Sequence, residues 1–190
     1  ADPIWERLRQ IEEAGGRVLY VRGDLADRTS LDHALSLGRA EFGPIEGFLH
    51  SAMDLRDGLL ARQDPTAFAL GLQAKMSGIE NLREALREDP IAFGLIYSSV
   101  QSLLANAGQG SYAAASAFVD QYATHWRASA TYPVKVLNWS YWGSTGAVAT
   151  PEYRLRMQAA GVDSIESAEA LRLIEPLLAS TSIHQLWVVK

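Results

Sequence analysis

The stretch FGLIYSSVQSLLANAGQGSYAAASAFVDQYATHWRAS, residues 93–129, decides the fold. It opens on a nearly continuous apolar run, Phe93–Ser98, passes through small residues around Gly108–Ser111, and enters a helical pattern over 111–129. A continuous apolar strand followed by a helix is the unit of a parallel sheet covered on both faces. The alternation recurs outward in both directions. Strand candidates stand at Arg17–Val21 (RVLYV), Ile45–His50 (IEGFLH), Val134–Asn138 (VKVLN) and Gln185–Val189 (QLWVV), with helical stretches at 4–14, 28–42, 64–88 and 165–180. Helix and strand alternating through most of the chain imply an α/β fold with a doubly wound sheet. Gly108–Ser111 and Ser144–Gly146 read as loops inside one domain.

The 190 residues carry 17 basic and 22 acidic side chains, no cysteine, and a mean hydropathy of −0.04. A compact chain of 20.8 kDa should expose about 8,900 Å² when folded, against roughly 30,000 Å² unfolded, so disorder is excluded. The missing cysteines exclude disulfides and thiolate chemistry. His33, His50, His125 and His184 lie too far apart to suggest a metal site. An acidic chain without a basic cluster lacks the footprint of a nucleic-acid binder, and no apolar run is long enough for a membrane span, so a cytoplasmic protein is expected. Charge is unevenly spread: residues 90–150 hold only Asp120, Arg127 and Lys135. That quiet segment should form the buried centre.

In the third helical stretch Asp64 is placed to cap and Pro65 to begin the helix. Its apolar stripe runs Phe68, Leu72, Ile79, Leu82, Leu86, and Lys75 falls in mid-stripe. A lysine there must snorkel out or find polar partners inside. In an open α/β sheet, ligands sit beyond the carboxyl ends of the strands. Ser99 ends one strand there, Tyr112 opens the next helix, and Ser116 follows one turn later on the same face. Ser99, Tyr112 and Lys75 supply a hydroxyl to hold a carbonyl, a phenol to donate a proton, and an ammonium to lower the phenol's pKa from about 10, which is the set a carbonyl reductase needs.

Several longer segments carry a family resemblance: GDLAD (23–27), HSAMDLRDGLL (50–60), AKMSGIENL (74–82), IYSSVQSLLANAGQGSYAAASAFVD (96–120) and VLNWSYWG (136–143). Their order and spacing, 24 residues from Lys75 to Ser99 and 13 from Ser99 to Tyr112, resemble the ketoreductase domain of modular polyketide synthases, within the short-chain dehydrogenase/reductase superfamily. NAGQGSYAAASAF, YPVKVLNWSYWG and PEYRLRMQAAGVDSIES are most similar to domains of synthases served by separate acyltransferases.

The resemblance implies a mainly parallel Rossmann-type sheet and catalytic Tyr112, Ser99 and Lys75. Ser116 stands where the family usually has asparagine. It implies NADPH as cofactor, with Asp24 accepting from the adenine amino group and Leu25 beside it. His50, Ser51 and Ala52 would pack along the adenosine and ribose, and Asn138, Trp139 and Ser140 would lie beside the nicotinamide. Asp57, closing Leu55-Arg56-Asp57, and Gln109, three before the tyrosine, imply a B-type reductase that makes a D-configured hydroxyl. The implied substrate is a β-ketoacyl thioester on the phosphopantetheine arm of an acyl carrier protein, and the implied partners are other domains of the same synthase.

No G-x-G-x-x-G occurs. The resemblance aligns residues 1–16 with the helix before the third family strand, so the first β-α-β segment, with its glycine turn for the pyrophosphate, is expected in a preceding stretch of this or another chain. On this reading residues 1–190 are the C-terminal portion of a ketoreductase catalytic domain. Two alternatives stand beside it. A reductase fold kept only for packing within a megasynthase accounts for Ser116 and the absent glycine turn. An extended-type sugar epimerase requires lysine at 116. Taken singly, each residue has an ordinary role: Tyr112 a half-buried core residue, Ser99 a turn former, Asp24 a loop cap.

Overall fold

A computed structural model describes residues 3–145 and 148–190. Gly146, at the end of the expected 144–146 loop, lies outside the described residues. Eight α-helices and four strands follow as α1 (Pro3–Glu13), α2 (Arg28–Phe42), β1 (Gly47–His50), α3 (Pro65–Gln73), α4 (Met76–Ala85), β2 (Phe93–Ser99), α5 (Gln101–Leu104), α6 (Gly110–Ser129), β3 (Val134–Trp139), α7 (Pro151–Ala159), α8 (Ser167–Ala179) and β4 (Gln185–Val188). The strands form one parallel sheet in the order β1-β2-β3-β4. The α/β, doubly wound reading holds: α2, α4 and α6 cover one face and α8 the other.

Alternation along β3 shows how the two faces are sorted. Val134 and Val136 join Ile79 and Leu82 of α4 and Val119 and Trp126 of α6 in one core. Leu137 and Trp139 join Ala170 and Leu177 of α8 in the other. All six β3 residues are buried, which is why the segment reads as an uninterrupted run. Lys135 is tolerated because its Nζ donates to the carbonyls of Ser180 at 2.6 Å and Ile183 at 2.5 Å, just past the end of α8. At the other edge Arg39 of α2 pairs with Asp89, which also accepts from the Ile45 amide at 3.0 Å and so fixes the entry to β1.

Two expected elements take a different form. Arg17–Val21 forms no strand. Its composition suits a strand, but a strand exists only through a hydrogen-bonded neighbour, and none lies beside it among the described residues. The single helix expected over 64–88 divides into α3 and α4 at Ala74–Lys75. There the Lys75 amide bonds three residues back, to Leu72 O at 3.2 Å, and the tightened turn shifts the second half. The exposed surface, 11206 Å², exceeds the compact expectation of about 8,900 Å². Apolar side chains left outward, Leu49 of β1 at 56% and Trp5 at 61%, account for part of the excess.

Candidate active site

The C-terminal ends of β2 and β3 and the first turn of α6 converge on one cleft of about 510 Å³. Ser99, the last residue of β2, is buried; its Oγ accepts from the Gln101 amide at 3.2 Å and donates to Trp139 O at 3.5 Å. That turn starts α5. Ala105 (φ 46°) and Gly108 (φ 90°), both left-handed, then fold the chain back, so that α6 begins at Gly110 and Tyr112 reaches the same cleft as Ser99.

Lys75 is 3% exposed, and it is held inside: Nζ donates to Tyr97 O at 2.9 Å and lies 5.7 Å from the centre of the Tyr112 ring. Burial pushes the ammonium down to about 8, and the carboxylate of Asp120 works in the other direction. Burial also raises the Tyr112 phenol, with the Ser99 and Ser116 hydroxyls opposing it. The lowering expected from Lys75 is not what the site shows: burial, which disfavours the phenolate, is the leading influence. His50 is driven to about 4 by burial first and the nearby Lys75 second, and neither ring nitrogen has a hydrogen-bond partner. It sits in the site as a neutral imidazole.

The cleft gathers Lys75, Ser99 and Tyr112 with Ser51, Gln109, Trp139 and Ser140. The remaining expected residues sit elsewhere. Ser116, one turn beyond Tyr112 on α6, is fully buried outside the cleft lining, and its hydroxyl acts on the Tyr112 phenol. Leu25 packs into the core over Gly78, where an added Cβ would meet it at 3.1 Å. Asp24 is exposed and accepts from its own loop at Ala26 N, 2.9 Å. His50, Ala52 and Asp57 do not line the cleft, and Asp57 Oδ2 accepts from Gln109, which does. Asn138 is buried at 0% with its amide fully engaged, so its side chain faces α6 and β4 rather than the cleft.

Several contributors were not anticipated, Arg7 of α1 and Trp142 among those lining the cleft. Gln101 and Tyr153 line the cleft, the latter from α7, whose Thr150-Pro151 start repeats the cap-then-proline signal of Asp64-Pro65. Asp120 was visible as the lone acid of the quiet segment, two turns beyond Tyr112.

A buried ammonium beside a phenol and a serine, at the carboxyl edge of a parallel sheet, is an arrangement for polarising a carbonyl oxygen. The KR domain family model matches residues 3–144. The chain belongs to the ketoreductase domains of polyketide synthases. Polyketide synthase ThaG of Burkholderia thailandensis is 39% identical over 168 residues, 88% of this chain and 3% of that protein. Polyketide synthase PksN of Bacillus subtilis is 36% identical over 98% of the chain, which again spans 3% of the relative's length. Among solved structures, a ketoreductase domain from the bacillaene assembly line superposes with a TM-score of 0.91 at 25% identity, over all of this chain and 46% of that one. The ketoreductase fold therefore accounts for the parallel sheet and the helices packed on it.

Proposed function

We propose that this ketoreductase reduces a β-ketoacyl thioester, carried on the phosphopantetheine arm of an acyl carrier protein, to the β-hydroxyacyl thioester. The observation that carries the reading is the 5.7 Å approach of Lys75 Nζ to the Tyr112 ring in the cleft that Ser99 also lines. The cleft suits a nicotinamide cofactor: Ser140, one of its lining residues, has a buried Oγ without a partner, ready for a polar group of a bound ligand. Ser51 from the β1 end and Ser140 from the β3 end would hold that cofactor, taken to be NADPH, which supplies the hydride. Asp24, His50 and Ala52, outside the cleft lining, would extend the binding surface on this reading.

The chain's own groups do the rest. Ser99 Oγ and the Tyr112 hydroxyl donate to the substrate carbonyl oxygen, drawing charge onto it. As the carbonyl carbon gains hydride, Tyr112 gives its proton to the forming alkoxide. Lys75 then faces the tyrosinate, and its ammonium offsets the desolvation that raises the phenol. Trp139 and Trp142, ring centres 5.2 Å apart, wall one side and exclude water. Asp57 and Gln109 belong to the opposite rim, where they would turn the acyl chain for B-type, D-configured product. Other domains of the synthase would deliver substrate and take product; no helix among the described residues is long and apolar enough to cross a membrane. The separate-acyltransferase wording of residues 106–118 supports the same branch.

The experiment is oxidation of NADPH, followed at its absorbance band, with a β-ketoacyl thioester. Turnover abolished by Tyr112→Phe supports the reading, and absent turnover in the completed domain, with its preceding segment, overturns it. Serine at 116, where the family usually has asparagine, favours a second reading, a reductase fold retained for packing. Calorimetric binding of NADPH separates the two, because the packing role needs none.

A further inference from the structure

Asp120 and Asn138 form a buried polar pair that the reaction, as derived above, does not use. Asp120 is 7% exposed and Asn138 0%. Asn138 Nδ2 donates to Asp120 Oδ2 at 2.9 Å, to Ser99 O at 3.1 Å and to Ser102 Oγ at 3.2 Å, while Asn138 Oδ1 accepts from Gln185 Nε2 at 2.9 Å. The second carboxylate oxygen, Asp120 Oδ1, is buried without any partner. An ionised carboxylate with one bare oxygen is costly inside a protein unless a positive charge compensates it.

The cation that this carboxylate favours is Lys75, whose buried ammonium lies beside Tyr112 of the same α6 stripe. Its surroundings come from three elements: the Tyr97 carbonyl of β2, the neutral His50 of β1, and Tyr112 and Asp120 of α6. Only Asp120 among them carries negative charge. Tyr112, Ser116 and Asp120 follow one another at four-residue intervals along α6, so a slowly turning stripe sets phenol, hydroxyl and carboxylate against the sheet. Through Asn138 the same carboxylate reaches the backbone of Ser99.

Resting on the ketoreductase reading, we propose that Asp120 is a positioning residue of the active site: it keeps Lys75 cationic and, through Asn138, holds the Ser99 end of β2 in place. Removing its charge leaves the lysine with burial and no opposing anion.

The chain has three lysines, Lys75, Lys135 and Lys190, so 13Cε NMR of lysine-labelled protein resolves each titration, assigned by Lys75→Met. Asp120→Asn keeps the shape and an acceptor for Asn138. The expected result is a Lys75 midpoint lowered by about half a unit or more, with the alkaline limb of kcat following it. An unmoved midpoint in a folded variant overturns the proposal. Should the variant not fold, the parent protein decides: a Lys75 midpoint below about 7 means that the carboxylate gives no support. The titration needs no turnover, so a shifted midpoint in a protein without reductase activity would sink the ketoreductase reading and leave the Asp120–Lys75 coupling standing.

Discussion

Gln109 Nε2 donates to Asp57 Oδ2 at 3.2 Å, and the backbones beside them also meet, Gly58 N to Gly108 O at 2.7 Å. Two loops remote in sequence thus form one rim of the cleft. The side-chain bond is exposed and worth only about 1 kcal/mol, so its removal should leave the fold unchanged. Gln109→Ala is expected to melt within a few degrees of the parent but to erode the stereochemical purity of the β-hydroxy product. Chiral chromatography of the reduced thioester checks this; an unchanged isomer ratio would remove the pair from stereocontrol.

Tyr112→Phe keeps the ring beside Lys75 and deletes only the proton donor. Reduction should fall by about 10³-fold, within the usual range for a lost general acid, while calorimetric affinity for NADPH stays within a few-fold of the parent.

The burial of Lys75 has a signature in stability as well. Its folded pKa of about 8 lies below the unfolded value of about 10.4, so between these the unfolded chain binds more protons, and stability rises with pH across that window. Below about pH 8 both states are protonated and the full cost of the buried ammonium is felt. Urea unfolding at pH 7 and pH 10 should show the parent gaining about 3 kcal/mol relative to Lys75→Met. Equal changes in the two proteins would contradict a depressed lysine.

Gly94 of β2 has no room for a side chain: a Cβ there would stand 2.3 Å from Phe48 Cζ. Phe48 in turn is stacked on Trp126, ring centres 5.0 Å apart and 12° from parallel. Gly94→Ala must displace this stack, at a cost of about 2 kcal/mol, visible as a lower Tm and a changed near-ultraviolet circular dichroism.

How far such features could be read from the residues varies with what each depends on. Phe93–Ser98 and Val134–Asn138 were legible as strands because burial on both faces leaves an unbroken apolar run. Arg17–Val21 looks the same but pairs with nothing, since the partner of a strand is not written in the strand. The spacing of Lys75, Ser99 and Tyr112 pointed to three side chains that do share one cleft, and the Lys75 position in an apolar stripe announced its burial. The helix break at Ala74 gave no warning, having neither glycine nor proline. Asn138 was placed near the right loop, but which face its amide served depended on Asp120, Ser102 and Gln185, three elements that meet only in the folded chain.

The division between α3 and α4 has a use beyond geometry. Helix α3 leans on the front of the site, with Gly71 so close to Ser111 that a Cβ would meet its Oγ at 3.0 Å; α4 is rooted in the core through Ile79 and Leu82. Because Lys75 belongs to the rooted half, the segment ahead of it can diverge without misaiming the ammonium. Gln73 is therefore a natural graft point, where substrate preference and proton chemistry can be inherited from different parents.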